Sequence, residues 1–306
     1  MNARTVLTTT TMVLTLAAAA SAQAPQPARP GGGPQRSPAE RAAAEQAEVA
    51  KMMAMARPID GIDSVWLEEL TWLDVRDAMR AGKTTIILPT GGMEQNGTYL
   101  ATGKHNYVMR AMCEAVARKL GNALCGPNVA FVPEGSIDPP SGHMHYPGSI
   151  SVSEQTFQTL LTDIANSYRV TGFSNVILIG DSGGNQRGMR EVANTLGAKW
   201  AGTKSHIYHI PEFYDDFNKV VEYIEKTYGW KQVSDGSHDD ALITAILLTV
   251  DPSYARMKQR ASKGLTKTNA IELTPLAKAV EVGKAVVDKR ADITVEAIKK
   301  AMAAAK

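Results

Sequence analysis

The sequence is poor in cysteine, in aromatic residues and in excess charge of either sign. Two cysteines exclude a disulfide-rich scaffold and a cysteine-rich zinc domain. An aromatic content of 6% argues against a wide platform for stacking nucleobases. A net charge of +2 gives no reason to expect binding to nucleic acid or to an acidic membrane. The 306 residues are 44% hydrophobic, which suffices for a globular core.

A segment of export-signal type opens the chain. Arg4 precedes an apolar run from Met12 to Ala20, and small residues follow at Ala22 and Ala24. This pattern predicts a signal peptide over residues 1–24, and we favour its cleavage over an uncleaved membrane anchor. Residues 25–38, rich in Pro and Gly, predict a flexible linker. We therefore expect a periplasmic or secreted protein with no further membrane span.

The sequence alone does not decide whether the two cysteines form a disulfide or remain free thiols. In an oxidising compartment Cys113 and Cys125 can pair, but Cys113 falls within a helical pattern. Spacing alone does not show that the two thiols approach each other. We expect two buried free thiols.

Helical and strand patterns alternate over residues 39–306, which we expect to form a single domain. Short apolar runs predict strands at 84–88, 129–132, 175–179 and 207–210. Helical patterns cover 39–55, 71–79, 105–120, 153–170, 184–200, 211–228, 239–249, 275–287 and 294–304. Strands separated by amphipathic helices predict an α/β fold with a mostly parallel sheet covered by helices on both faces.

Chemistry in such sheets lies in the loops that follow the carboxyl ends of the strands. The loops at 89–105, 135–151, 180–185 and 235–240 contain four of the six histidines. In the first loop Glu94 and His105 can share a divalent metal. Alternatively, Glu94 pairs with Lys104 and His105 only caps the following helix.

The other three loops offer weaker candidates. His143 and His145 lie two residues apart and face the same side of an extended chain, so they suit a substrate, a metal or simply the surface. Ser182 follows a strand at the start of a helix, but its glycine pattern fits neither a phosphate loop nor a nucleophile elbow. His238, with Asp235 as its orienting carboxylate, can act as a general base.

Five motifs in this order resemble the creatininase (creatinine amidohydrolase) family. They are LEELTW, ILPTGGMEQNG, HMHYPGSIS, ILIGDSGGN and DGSH, and they extend from about Leu67 to about Pro252. The resemblance implies a creatininase-like layered α/β fold, often assembled as a hexamer. It also implies a site with two divalent metals, usually zinc or manganese, that hydrolyses cyclic amides and related C–N bonds.

Several metal-ligand positions depart from the family pattern. Glu94 matches the family's first ligand, whereas Asn96 and Tyr99 replace histidines. His105 replaces the carboxylate that bridges the two metals, and an imidazole cannot bridge in the same way. Ser182 replaces another histidine, and Ile243 stands where the family has Glu. His238 and Asp235 match the family's residues near the substrate. We expect one Zn or Mn ion rather than two.

The sequence thus predicts an exported hydrolase of a small polar cyclic amide or related carbonyl compound, assembled as a homo-oligomer. The expected metal ligands are Glu94, His105 and Asp181, and the expected catalytic residues are His238, Asp235 and Lys104. The expected substrate-binding residues are Asn96, His143, Ser182, Gly183, Gly184 and Asn185. Two alternatives stay open: a metal-independent hydrolase or lyase of a lactone or keto-sugar that uses Lys104, Asp181 and His238, and a non-catalytic small-molecule binding protein.

Overall fold

A computed structural model describes residues 37–304. The predicted signal peptide and all but the end of the predicted linker lie outside this range. Contacts divide the chain into two units, with the boundary in sequence between Ala56 and Arg57. The first contains helix α1, Pro38–Ala54, which begins with a capping box formed by Ser37 and Glu40. No helix among the described residues is long and apolar enough to cross a membrane.

The second unit is an α/β fold around a parallel sheet, as the sequence predicts. Its strands are β1 (Thr85–Thr90), β2 (Ala123–Cys125), β3 (Asn175–Gly180) and β4 (His206–His209), and a small antiparallel pair consists of β5 (Lys267–Thr268) and β6 (Ile271–Glu272). Its helices are α2 (Trp72–Arg80), α3 (Lys104–Leu120), α4 (Glu154–Val170), α5 (Gly183–Lys199), α6 (Glu212–Asp215), α7 (Phe217–Tyr228), α8 (Ala241–Val250), α9 (Met257–Ser262) and α10 (Leu276–Ala304).

The parallel sheet has the strand order β2-β1-β3-β4. Strands β1 and β3 are buried along nearly their whole length, as expected for strands covered by helices on both faces. One group of packed helices consists of α3, α8 and α10, and another of α4 and α5. Because Thr90 pairs with Gly180 in register, the loops that follow β1 and β3 start side by side at one edge of the sheet.

Several local expectations need correction. Residues 129–132 form only isolated bridges, at Val129 and Val132, whereas β2 at Ala123–Cys125 had no clear sequence signal. The two helices expected at 275–287 and 294–304 are one helix, α10. The helix expected at 211–228 is divided between α6 and α7. Turn and strand boundaries depend on tertiary contacts that local patterns do not contain.

The two cysteines form a disulfide, so the expectation of free thiols is wrong. Cys113 on α3 bonds to Cys125 at the end of β2, with the two Cα atoms 6.1 Å apart. Both residues are fully buried. The chain reverses direction at Gly121, between α3 and β2, and this turn brings together two thiols that are 12 residues apart.

Candidate active site

A cavity of about 380 Å³ lies at the carboxyl edge of the sheet, and we call it the first cavity. Its polar lining brings together residues from four separated loops. The lining residues are Glu94, His105, Pro133, Glu134, Gly135, His143, Asp181, Ser182, Gly183, Gly184, Tyr214 and His238. The loops that the sequence singled out therefore converge on one place.

Four side chains contact one another in series, and three of them, Glu94, His105 and Asp181, line this cavity. One ring nitrogen of His105, Nε2, lies 2.7 Å from Glu94 Oε1, and the other, Nδ1, lies 2.7 Å from Asp181 Oδ2. Arg290, which sequence reasoning missed, donates from its guanidinium to Asp181 Oδ1 at 2.8 Å. All four side chains are buried. An imidazolium can donate from both nitrogens, so His105 links two carboxylates that would otherwise repel each other.

These contacts control the acidity of the carboxyl groups. Burial alone would raise the pKa of Glu94, but the hydrogen bond and the charge of His105 outweigh it and hold this pKa at about 2. Burial likewise acts to raise the pKa of Asp181, and Arg290 and His105 together keep it below its usual value. Both groups are therefore carboxylates at neutral pH.

Glu134 is a second residue that sequence reasoning missed. Burial, followed by the hydrogen bond and the negative charge of Glu94, raises the pKa of Glu134 to about 9. Its Oε1 atom is buried and has no hydrogen-bond partner among residues 37–304. A methyl group on Gly92 would overlap this oxygen, so glycine at this position makes room for the Glu134 carboxyl.

A signal for Glu134 was present in the sequence. It follows the apolar residues 129–132 at the start of a loop, the same relation that singled out Glu94 after β1. Arg290 had no such signal, because it falls between the two helices expected near the end of the chain.

Three of the lining side chains form a cluster suited to a cation. One donor atom each from Glu94, His143 and His238 lies within 4.8 Å of the others. His143 Nε2 is 3.2 Å from Glu94 Oε2, and His238 Nε2 is 3.6 Å from Glu94 Oε1. Ligands about 2.0–2.1 Å from a tetrahedral zinc ion are about 3.3 Å apart, so the spacing suits such an ion. Glu134 lines the same cavity, but its unpartnered Oε1 is buried against Gly92 and is not part of this cluster.

This cluster shares only Glu94 with the ligand set expected from the sequence. Both nitrogens of His105 face carboxylates, so neither presents a free lone pair to a metal while these contacts persist. Asp181 likewise has one oxygen bound by His105 and the other by Arg290. His238 Nδ1 contacts the Gln95 carbonyl at 2.9 Å, which leaves Nε2 directed toward Glu94.

Three other residues singled out in the sequence, Asp235, Asn96 and Asn185, do not line the first cavity. Asp235 is exposed and accepts from the Ser237 amide, not from His238. Asn96 and Asn185 are buried and donate to backbone oxygens of the β1 loop: Asn96 to Glu94 and Thr102, and Asn185 to Thr90. These two amides hold the loop in shape, and neither lines the first cavity.

The start of α5 supplies backbone donors to the cavity. Ser182 is its N-cap, makes no side-chain capping bond, and is followed by Gly183 and Gly184. The first N–H groups of a helix have no partner within the helix, so they favour a negatively charged ligand atom. A methyl group on Gly184 would overlap the Pro133 carbonyl, and one on Gly183 would lie 3.1 Å from the Tyr214 hydroxyl. Because Gly183 and Gly184 have no side chains, the Tyr214 hydroxyl and the Pro133 carbonyl can lie close to the start of α5.

Lys104 lies beside the cluster, at the first position of α3. Its ammonium nitrogen is 3.9 Å from Glu94 Oε1, and burial lowers its pKa. Burial and the positive charge of Lys104 also lower the pKa of His238. The lysine therefore favours the neutral imidazole at His238, which is the form that can bind a metal.

Comparison with known proteins shows the family to which the chain belongs. Residues 68–305 match the family model described as creatinine amidohydrolase. The chain is 25% identical over 196 residues to the creatinine amidohydrolase of Pseudomonas putida, which covers 62% of this chain and 73% of that protein. It is 27% identical over 119 residues to the 3-dehydro-scyllo-inosose hydrolase of Thermotoga maritima, which covers 39% of this chain but only 36% of that protein.

Solved structures show the same fold. A creatininase structure with manganese superposes with a TM-score of 0.56 at 20% identity, covering 78% of this chain and 98% of that one. A creatinine amidohydrolase structure gives a TM-score of 0.51 at 21% identity, covering 79% and 97%. The family match spans most of the chain, and the fold and the relatives agree with it. The protein is a hydrolase that belongs to the creatininase family.

Proposed function

We propose that this protein is an exported, single-metal hydrolase that acts on a small polar cyclic amide or a related carbonyl compound. The observation that carries the proposal is the cluster of Glu94, His143 and His238, whose donor atoms lie within 4.8 Å of one another. Glu134, whose carboxyl is hydrogen-bonded to Glu94, lies beside this cluster in the same cavity. The ion would be Zn or Mn, and when bound it would polarise the substrate carbonyl and acidify a water molecule.

The groups around the cluster have two further roles: they orient Glu94 and they donate hydrogen bonds to the substrate. His105 fixes the orientation of the Glu94 carboxylate through Nε2. The Nδ1 atom of His105 contacts Asp181, which in turn accepts a hydrogen bond from Arg290. The free amides at the start of α5 are placed to donate to the oxygen of the carbonyl as negative charge develops on it. The Tyr214 hydroxyl, close to Gly183, can donate to the same oxygen or to the leaving nitrogen.

The loss of the second metal follows from His105. In the position where the family has a bridging carboxylate, His105 places a hydrogen-bond donor between Glu94 and Asp181. The two contacts of His105 occupy the carboxylate oxygens that would otherwise face a second ion. The arrangement at this position therefore favours one ion.

Export is supported by the disulfide as well as by the predicted signal peptide. Cys113 and Cys125 are bonded, and structural disulfides persist mainly in oxidising compartments. A periplasmic or secreted location is therefore part of the proposal. The homo-oligomer expected from the resemblance is tested separately, by light scattering of the purified protein.

Metal analysis of the purified mature protein tests the proposal. We expect about one equivalent of a divalent ion per chain, and loss of most of it in the Glu94→Gln and His143→Gln variants. His206→Gln is the matched control, because His206 does not line the first cavity. It should keep the ion. Chelation should abolish hydrolysis of a panel of cyclic amides, and an active metal-free protein would refute the proposal.

A second candidate function is a metal-independent hydrolase or lyase of a lactone or keto-sugar. It is favoured by the buried Lys104 beside Glu94 and by the similarity to a protein named as an inosose hydrolase. Lys104 and His238 would then polarise the carbonyl and activate water. Turnover of a keto-sugar or lactone that resists chelation would favour this function. Binding of such compounds without turnover would indicate a non-catalytic protein.

A further inference from the structure

A second cavity, of about 460 Å³, adjoins the first. The two cavities share four lining residues: His105, Asp181, Tyr214 and His238. The second cavity is also lined by Lys104, Phe217, Asp239, Asp240, Ile243 and Arg290. Because the shared side chains include members of the series of four contacting side chains and of the metal cluster, a molecule reacting in the first cavity can extend into the second.

Lys104 gives this second cavity a set of free donors. Its nearest charged partner is Glu94 Oε1 at 3.9 Å, which is too far for a hydrogen bond. In the described part of the chain its ammonium group makes no hydrogen bond, although the residue is only 5% exposed. An ammonium group has three N–H donors, and a buried polar group is stabilised by a partner. A ligand in the cavity can provide one.

The cavity also contains an acceptor that the fold does not use fully. Asp240 is occupied, since it accepts from the first amides of α8 and from Gln232. Asp239 also lines the cavity, and no side chain among residues 37–304 forms an ion pair or a hydrogen bond with its carboxylate, whose Oδ1 atom is buried. Lys104 and Asp239 together offer donors and acceptors, which is what a hydroxyl group requires.

The charged and apolar side chains that line the second cavity further limit which ligands can fit it. Arg290 is neutralised by Asp181, and the charges of Asp181 and Asp240 act on Lys104, so a strongly charged group of either sign gains little net attraction here. Phe217 and Ile243 add apolar surface that suits the C–H faces of a saturated ring. Ile243 stands where the family has Glu, and its apolar side chain opens this wall to such a ring.

We propose that the second cavity is a substrate subsite for a neutral, polyhydroxylated ring or chain, whose reacting carbonyl lies in the first cavity. This inference rests on the proposed function, because it names the class of substrate that the same site accepts. The substrate is then a hydroxylated cyclic amide or a related sugar-like carbonyl compound rather than an unsubstituted one.

Two matched lactams test the subsite by titration calorimetry on the metal-loaded mature protein. δ-Gluconolactam carries hydroxyl groups on a six-membered ring, and δ-valerolactam is its unsubstituted counterpart. We expect δ-gluconolactam to bind about tenfold more tightly, as one or two added hydrogen bonds would give. Ile243→Trp, which fills the cavity, should weaken binding of δ-gluconolactam by a similar factor and leave δ-valerolactam unchanged. Lys104→Met, which removes the donors, should act in the same direction.

Ile293→Trp is the control, since Ile293 lines a separate surface cavity. It should alter neither affinity. Equal affinities for the two lactams, no binding of either, or equal weakening of both in the Ile243 and Lys104 variants would overturn the subsite. Because calorimetry measures binding, a retained preference in a protein that hydrolyses nothing would refute the proposed function alone. Hydrolysis of cyclic amides without any preference would refute the subsite alone.

Discussion

The guanidinium of Arg290 donates to Asp181 Oδ1 at 2.8 Å, and each side chain is only 3% exposed. Arg290 also donates to the Phe213 carbonyl. The other oxygen of Asp181 contacts His105, so a cation on α10 stabilises a carboxylate at the end of β3 and, through it, the imidazole beside Glu94. The α10 helix is therefore part of the candidate active site although it does not follow a strand of the parallel sheet.

Removal of this cation is expected to destabilise the protein strongly. Arg290→Gln breaks a buried ion pair and leaves the Asp181 carboxylate with His105 as its remaining partner. Loss of one partner of a buried pair costs about 3–5 kcal/mol of unfolding free energy. Urea denaturation of the variant measures this loss. The double variant Asp181→Asn/Arg290→Gln should be less destabilised than Arg290→Gln, because its carboxylate is gone.

A surface ion pair provides the control for this experiment. Lys119 pairs with Asp288 and Asp292 and is 32% exposed, so Lys119→Gln should cost less than about 1 kcal/mol. A loss in Arg290→Gln no larger than that in Lys119→Gln would contradict the role assigned to the buried pair.

The position of Glu134 is expected to depend on Gly92. Gly92→Ala places a methyl group against Glu134 Oε1 and should displace this carboxyl, which is hydrogen-bonded to the cluster residue Glu94. Misplacement of a reacting group by about 1 Å can lower turnover by about 100-fold. We expect hydrolysis of the best cyclic amide to fall at least tenfold. Steady-state kinetics on the metal-loaded variant measure the effect.

Gly197→Ala is the matched control for Gly92→Ala. Gly197 lies within α5, and a methyl group added there would meet nothing within 4 Å. Alanine should stabilise this helix by about 0.5–1 kcal/mol and leave turnover unchanged. Full activity in Gly92→Ala would show that the glycine does not position Glu134.

The disulfide between Cys113 and Cys125 is expected to contribute substantially to stability. A bridge that closes a loop of this length, 12 residues apart in sequence, restricts the unfolded chain by about 3 kcal/mol. Thermal denaturation with and without a reductant should show the loss, and so should the Cys113→Ser/Cys125→Ser variant. The reductant should not affect the double variant. Equal melting temperatures for the oxidised and reduced wild-type protein would contradict the prediction.

His209 is expected to make stability depend on acid pH. Burial, assisted by the charge of Arg190, lowers the pKa of His209 to about 4 from an ordinary value of 6.5. Between these two values the unfolded chain binds a proton that the folded protein does not. Stability should therefore fall as the pH drops from 6.5 toward 4, and this contribution should level off below that range.

The His209→Gln variant isolates this contribution. Glutamine does not titrate and can still contact Gln186, the present partner of His209 Nε2. Chemical denaturation at several pH values should give a flatter dependence for the variant than for the wild-type protein. Parallel curves would show that His209 does not titrate as expected.

Local signals predicted most of the helices and the central strands. Thr71 and Ser153, the first residues of the helical patterns at 71–79 and 153–170, are the N-caps of α2 and α4. The continuous apolar run at 175–179 became the buried strand β3. These signals act within a few residues, so the sequence alone contains them.

Features that depend on distant contacts were not predictable in the same way. The disulfide requires the turn at Gly121 to bring α3 and β2 together, and spacing does not report this approach. Arg290 was missed because its segment has a weak helical pattern, yet packing against α3 and α8 makes α10 continuous. Glu94, His143 and His238 were all singled out from their loops, but which of them cluster became visible only in three dimensions.

The link between Asp181 and Arg290 also fixes the order in which the centre can be completed. The two residues are 109 positions apart, so a growing polypeptide contains the carboxylate long before it contains the cation. Until the α10 segment has been synthesised and docked, Asp181 at the end of β3 has only His105 as a partner. Partly synthesised chains therefore lack one of the two contacts of this carboxylate, and the centre is completed only when α10 docks.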